Sequence, residues 1–144
     1  MTVFQLVRRA TLLIPSGPAH DLDRKHLFIL LTDPVADPFN GGKNSILLTS
    51  LSTLDTALPN DPTCILHPGD HPFVVRDSYV SYRDSRIVET AKIINGVETG
   101  VFVVKDLMDS RIVDRICDGL TSHQTPEKIK RFFRMYTAQQ QSSA

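Results

Sequence analysis

The spacing of apolar residues divides the chain into two parts. Up to about residue 105, short apolar runs are separated by Pro, Gly, Asn and Asp, which is the pattern of β-strands joined by turns. After that position, apolar residues recur at the three- and four-residue spacing of a helix. The pattern therefore predicts a mainly β fold with C-terminal helices, α+β in class, in which a small antiparallel barrel or sheet precedes two helices.

Seven runs have the length and composition of strands. They are residues 10–15, 26–32, 44–51, 63–67, 77–82, 86–89 and 100–104. The second and third runs, HLFILLT and NSILLTSL, are almost continuously apolar, as expected of strands that are covered on both faces. We expect these two strands to be antiparallel neighbours at the centre of the core.

Two segments between the strands carry turn residues. DPVADPFNGGKN, residues 33–44, contains two Asp-Pro steps and an Asn-Gly-Gly run, which predict a surface loop with positive φ angles. KIINGVETGVFVV, residues 92–104, contains an Asn-Gly pair at positions 95 and 96, and such a pair between apolar runs predicts a β-hairpin.

The C-terminal part contains two helical patterns. In DSRIVDRICDGL the apolar residues fall on one face, and Gly119 marks the end of the helix. Thr125, Pro126 and Glu127 then form the typical start of a second helix. The apolar face of that last helix contains Ile129, Phe132, Phe133 and Tyr136.

Length and composition narrow the class of protein. A chain of 144 residues suits one domain, with the β part at about 8–104, the helical part at about 106–138 and a polar tail at 139–144. Sixteen basic residues balance sixteen acidic ones, so a nucleic-acid site would have to be a local patch. Two cysteines 53 positions apart and only short apolar runs predict a cytoplasmic protein without a membrane partner.

The densest group of polar residues is HPGDHPFVVRDSYVSYRDSR, residues 67–86. Its Pro, Gly and Asp residues are typical of a turn that leads into a strand. Cys64, His67 and His71 also have spacings that zinc can use, but a structural zinc site has four protein ligands and no fourth stands nearby, so we predict no metal. An active site is the third interpretation.

Strand alternation divides this polar group. In a strand that begins at Asp77, the side chains of Asp77 and Tyr79 share one face, whereas those of Val80 and Tyr82 share the other. The two tyrosines therefore cannot line one pocket from this strand alone.

The order and spacing of the strands resemble those of a known family. The segments ATLLIPSG, HLFILLTDP and SILLTSLST, followed by SYVSYRDSRIV and a C-terminal helix, are similar to the MazF/PemK-like toxins, and the similarity covers roughly residues 8–120. The resemblance implies an SH3-like barrel of the CcdB/MazF type. It also implies a homodimer that cleaves single-stranded RNA without a cofactor, in a toxin–antitoxin system where a cognate antitoxin silences it.

The resemblance also assigns residues. A basic group before the second strand corresponds to Arg24 and Lys25, a hydroxyl at the end of the third strand to Thr49, and an Arg-Asp pair on a later strand to Arg76 and Asp77. The Gly-Asp opening of the family and its Arg-Pro step before the second strand are absent. His26 stands where that proline would be.

RNA cleavage without a metal needs a base, an acid and a cation beside the phosphate. The expected phosphate-binding residues are Lys25 or Arg24 together with Arg76. Asp77 or His71 would transfer protons, Thr49 would position the substrate, and Tyr79 or Tyr82 would stack on a base. The alternative hypothesis is a non-catalytic barrel that binds a peptide or protein through the GDHPF loop and the two tyrosines.

Overall fold

The computed structural model describes residues 4–16, 25–55 and 60–142, with the side chain of residue 142 excepted. The strands in these ranges are β1 (Thr11–Pro15), β2 (Lys25–Leu30), β3 (Val35–Asp37), β4 (Lys43–Thr53), β5 (Ile65–Leu66), β6 (Ser78–Glu89) and β7 (Val103–Lys105). The helices are α1 (Thr90–Glu98), α2 (Ser110–Asp118) and α3 (Glu127–Ser142), with a 3-10 turn at Gly119–Thr121.

The strands form one antiparallel sheet in the order β5-β6-β4-β2-β1-β7, and β3 pairs with β4. The sheet curls into a half-barrel with β5 and β7 at its two ends. A mainly antiparallel β fold with two C-terminal helices was predicted from the apolar pattern, and the structure confirms it.

The two most apolar strands lie side by side at the centre of the sheet. Phe28 of β2 pairs with Ser50 of β4, and Ile29 pairs with Thr49. Successive side chains of β2 enter different cores, because Leu27 and Ile29 pack on one face and Phe28 packs on the other. Both faces of these strands are therefore covered, as their continuous apolar runs predicted.

Different elements cover the two faces. Helices α2 and α3 cover the first face with Ile116, Ile129 and Phe132, all of which are buried. Helix α1 covers the second face with Ile93, and the N-terminal residues Phe4 and Leu6 pack beside it. The sheet is thus the middle of three layers.

Strand β6 continues through a region where two strands were predicted. Its pairing with β4 shifts register between Leu48 and Ser50, since Leu48 pairs with Arg86 and Ser50 pairs with Ser81. The four residues 82–85 of β6 bulge opposite a single residue of β4. Val80 and Tyr82 share the buried face, as the strand alternation predicted.

The predicted hairpin at Asn95 and Gly96 is wrong, because these residues lie within helix α1. The glycine meets a packing requirement and does not form a turn. A Cβ atom on Gly96 would lie 2.3 Å from the ring of Phe102, so only a glycine lets this ring pack directly against the helix.

The segment 33–44 was predicted as an irregular loop and instead contains strand β3. Asp37, which is buried, ends that strand and accepts a hydrogen bond from the Phe39 N–H. Gly41 and Gly42 in the following turn have positive φ angles of 62° and 75°, as the Asn-Gly-Gly run predicted.

The structure confirms both C-terminal helices. Asp109 caps α2 by accepting a hydrogen bond from the Arg111 N–H. The predicted apolar face of α3 packs inward, with Phe132 and Tyr136 buried. The helix extends to Ser142, into the residues that were predicted to be a polar tail.

Candidate functional site

A cleft of about 490 Å³ opens between the start of β2, the end of β4 and the segment 72–76 that precedes β6. The three parts of the chain meet here because β2 and β4 are neighbours in the sheet, and because Thr53 at the end of β4 pairs with Ser78 at the start of β6. The residues that line the cleft are Lys25, His26, Leu27, Leu51, Thr53, Pro72, Phe73, Val74, Val75, Arg76 and Ser78.

The wall of the cleft begins in a turn. Asp70 accepts a hydrogen bond from the His67 N–H at 2.8 Å, and its own N–H donates to the His67 carbonyl. Gly69 has a φ angle of 99°, which an L side chain rarely adopts. Residues 67–70 therefore form the turn that their Pro, Gly and Asp content indicated.

His71 fixes this wall to the body of the protein. Its Nε2 lies 2.6 Å from the Asp106 carbonyl oxygen, and its Nδ1 accepts a hydrogen bond of 3.0 Å from the Phe73 N–H. A carbonyl oxygen only accepts, so Nε2 carries the proton and the imidazole is neutral. Because the ring is buried and both nitrogens have partners, His71 holds the loop and does not face the cleft as an acid or base.

Two cations reach the cleft from distant parts of the sequence. Lys25 stands at the start of β2, and Arg76 precedes β6 by two residues. The Ser78 hydroxyl donates to the Arg76 carbonyl at 3.0 Å, which fixes the backbone that carries the guanidinium group. Two positive side chains beside one concave surface favour an anionic ligand such as a phosphate.

His26, Thr53 and Ser78 supply the other polar side chains of the cleft. The Nδ1 atom of His26 is hydrogen-bonded to the hydroxyl of Ser16, the residue that follows β1. This hydrogen bond orients the imidazole ring. A histidine is the residue most often used for proton transfer in catalysis. The cleft therefore holds cations, a hydroxyl and an acid–base group at one place.

The rim of the cleft is apolar and exposed. Phe73 is 43% exposed and Val75 is 76% exposed, whereas Val74 between them is 5% exposed and packs in the core. Single exposed apolar residues are normal in proteins, but these two lie together beside a cationic cleft and offer an apolar surface to a ligand that enters it.

Of the predicted site residues that lie within the described ranges, Lys25 and Arg76 line the cleft and the others do not. Arg24 lies outside the described residues. Asp77 instead forms an exposed pair with His67, with 2.8 Å between its Oδ1 and the histidine Nδ1. Thr49 is buried at the β4–β6 bulge, where its hydroxyl donates to the Ser81 carbonyl and accepts from Ser85.

Neither predicted tyrosine lines the cleft. Tyr82 is buried, and its hydroxyl donates to the Ile116 carbonyl at 2.7 Å, so in this structure the ring is unavailable to stack on a base. Burial raises the pKa of the Tyr82 phenol and keeps it a neutral donor. Tyr79 is half-buried on the other face of β6, where its backbone pairs with Ser52 and Ile65.

Three cleft residues, His26, Thr53 and Ser78, were not predicted as site residues, and Phe73 was predicted only as part of the GDHPF loop in the peptide-binding alternative. His26 was noted only because it replaces a proline of the resembling family. Phe73, Val74 and Val75 form a short continuous apolar run in the sequence, and such a run gives no indication of which of its residues face solvent.

The two cysteines are buried and free. Burial raises the pKa of the Cys117 thiol to about 11, although Arg8 opposes this shift, and burial also raises the pKa of Cys64. A protonated, buried thiol is a poor nucleophile. Neither cysteine lines the cleft described above.

Over the ranges 4–16, 25–55 and 60–142, the side chains of His, Cys, Asp and Glu form no cluster of three that would hold a metal ion. None of the helices in the described part of the chain combines the length and apolar character that crossing a bilayer requires. Comparisons with protein-family models, with curated proteins and with solved structures found no match to this chain.

Proposed function

We propose that the protein binds single-stranded RNA in the cleft and cleaves it without a metal, as a toxin-type endoribonuclease of the MazF/PemK-like kind. One observation carries the proposal. Lys25 and Arg76, which were assigned to phosphate binding by resemblance and stand 51 positions apart, line the same cleft. The resemblance also makes a homodimer and a cognate antitoxin part of this proposal.

Four of the cleft residues have roles in the proposed reaction. Lys25 and Arg76 neutralise the charge that develops on the phosphate in the transition state. His26 takes the proton of the 2′-hydroxyl as that oxygen attacks the phosphorus, and a water molecule gives a proton to the 5′-oxygen as its bond to the phosphorus breaks. His26 has this role because Asp77 pairs with His67, and because His71 is outside the cleft residues with both nitrogens hydrogen-bonded. The Thr53 hydroxyl contacts the ribose or phosphate oxygens.

The experiment is an RNA-cleavage assay with a chelator present, on a long RNA that has little secondary structure. We expect Arg76→Ala to lower the cleavage rate about 100-fold, since it removes one charge that stabilises the transition state. His26→Gln should lower the rate while RNA binding persists. Lys128→Ala on α3 is the matched control, because this exposed cation lies outside the cleft residues.

Two outcomes would count against this function. One is a wild-type protein that leaves RNA intact even at high concentration. The other is cleavage that Lys25→Ala, Arg76→Ala and the double variant leave unchanged, because the activity would then come from another site or a contaminant.

A second function is favoured by the exposed apolar rim. Phe73 and Val75 would suit a peptide with an apolar side chain and an acidic group, held by a non-catalytic module. Such a module would bind without cleaving, and its affinity for RNA would be no higher than that of an unrelated neutral protein.

A further inference from the structure

Phe73 is an exposed aromatic residue next to a buried valine. Val74 anchors the segment in the core, and this turns the side chains on either side of it away from the interior. The exposure of Phe73 at 43% is therefore a consequence of how the segment is anchored.

The backbone of Phe73 is fixed at several points. Its N–H donates to Nδ1 of His71, the Val74 N–H donates to the His71 carbonyl at 2.9 Å, and the same histidine is bound to the Asp106 carbonyl. A ring held on a constrained segment loses little conformational entropy when a ligand packs against it.

The surroundings of the ring select the kind of ligand. Lys25 and Arg76 line the same cleft, so a ligand that contacts Phe73 meets two positive charges within one concavity. An aromatic side chain beside cations is how proteins bind single-stranded nucleic acids, with the base on the ring and the phosphate on the cations.

We propose that Phe73 is the base-stacking residue of the cleft and that the ligand class is nucleic acid with unpaired bases. This inference rests on the proposed RNA-binding function and transfers to Phe73 the stacking role that was predicted for Tyr79 or Tyr82. A duplex offers no free base face to the ring, so the cleft binds single strands in preference to duplexes.

Phe39 provides a matched control. It is 50% exposed, similar to Phe73, but the guanidinium carbon of Arg131 lies 4.2 Å from its ring centroid. That cation–π contact explains the position of Phe39 within the protein itself. Phe39 is absent from the cleft residues.

The experiment measures binding of two 2′-O-methyl oligonucleotides of about ten nucleotides, a length within the range that single-strand sites cover. One carries pyrimidine bases and the other carries abasic residues on the same backbone, and the 2′-O-methyl groups prevent cleavage. Fluorescence anisotropy gives the affinity of wild type, Phe73→Ala, Phe73→Tyr and Phe39→Ala, each checked by circular dichroism.

We expect Phe73→Ala to weaken binding of the base-bearing oligonucleotide roughly 5- to 150-fold, the range measured when stacking is removed by alanine substitution. Binding of the abasic oligonucleotide should be equal in Phe73→Ala and wild type. Phe73→Tyr and Phe39→Ala should bind like the wild type.

The outcomes separate this inference from the function on which it rests. If neither oligonucleotide binds the wild type, the RNA function fails and base stacking fails with it. If the wild type binds and Phe73→Ala binds equally well, stacking on Phe73 is overturned while RNA binding stands. If Phe73→Ala weakens both oligonucleotides to the same extent, the residue shapes the cleft without contacting a base, which also overturns the inference.

Discussion

Two regions pack against the same face of the sheet and differ in how far they bury their apolar side chains. One is the helical layer, formed by α2 and α3, and the other is the polar loop, residues 67–77. The helical layer buries its apolar residues, such as Ile116 and Phe132. The polar loop buries His71 and leaves Phe73 and Val75 exposed. The helical layer therefore stabilises the fold, whereas the polar loop leaves part of its apolar surface exposed in a wall that a ligand can reach.

The largest difference between the two regions is expected when one phenylalanine of each is replaced by alanine. Phe132→Ala removes a buried ring and should lower the free energy of unfolding by about 3–5 kcal/mol. Phe73→Ala removes an exposed ring and should change it by less than about 0.5 kcal/mol. Urea unfolding followed by circular dichroism measures both values. Similar losses in the two variants would mean that the polar loop belongs to the stabilising core.

Two glycines give the second test, because Gly119 directly follows α2 and Gly69 lies in the polar loop. A Cβ on Gly119 would lie 1.9 Å from the Tyr82 hydroxyl oxygen, so Gly119→Ala must displace a buried ring and its hydrogen bond to Ile116. We expect a loss of about 2–3 kcal/mol in unfolding free energy.

Gly69 in the polar loop is the counterpart, because a Cβ there would meet nothing within 4 Å, and only its φ angle of 99° opposes substitution. Gly69→Ala should cost about 1 kcal/mol through backbone strain alone. A larger loss for Gly69→Ala than for Gly119→Ala in the same unfolding experiment would contradict the crowding at Tyr82.

The same comparison explains what the sequence could predict. Each helix of the helical layer packs on the sheet with one side only, so its apolar residues recur at helical spacing. That spacing predicted α2 and α3. Strands β2 and β4 were predicted because coverage on both faces leaves continuous apolar runs. Helix α1 was missed because Asn95 and Gly96 carry a strong local turn signal, while the contact between Gly96 and Phe102 that decides the outcome is tertiary.

The cleft was predicted only in part for the same reason. Lys25 and Arg76 were identified by resemblance, but their meeting with His26 and Thr53 depends on which strands are neighbours and on how the loop is folded. His71 could not be assigned from sequence, since a buried histidine and an exposed one have the same letter, and its partner, the Asp106 carbonyl, is a backbone atom 35 positions away.

The two histidines of the polar loop give the third test. His71→Ala leaves the Asp106 carbonyl and the Phe73 N–H without their partner and should lower the unfolding free energy by about 2 kcal/mol. His67→Ala removes only an exposed pair with Asp77 and should cost less than about 1 kcal/mol. Chemical denaturation at neutral pH provides both values, and an equal cost for the two changes would contradict the tether assigned to His71.

The smallest expected effect concerns the buried thiol of the helical layer. Burial raises the pKa of Cys117 from 9.0 to about 11, so between these values the folded protein keeps a thiol proton that the unfolded chain loses. The contribution of the protonated thiol to the unfolding free energy is complete below pH 9 and is lost as the pH rises through 11. Between pH 8 and pH 10 the unfolding free energy should fall by about 1 kcal/mol more in the wild type than in Cys117→Ala.

Burial also raises the pKa values of Cys64 and Tyr82, so both proteins should lose stability in alkali. Only the difference between the two proteins therefore reports on Cys117. Urea unfolding at each pH gives the two slopes of unfolding free energy against pH. Equal slopes in the wild type and Cys117→Ala would show that Cys117 ionises as readily in the folded helical layer as in the unfolded chain. The difference in burial between the helical layer and the polar loop would then have no effect on this thiol.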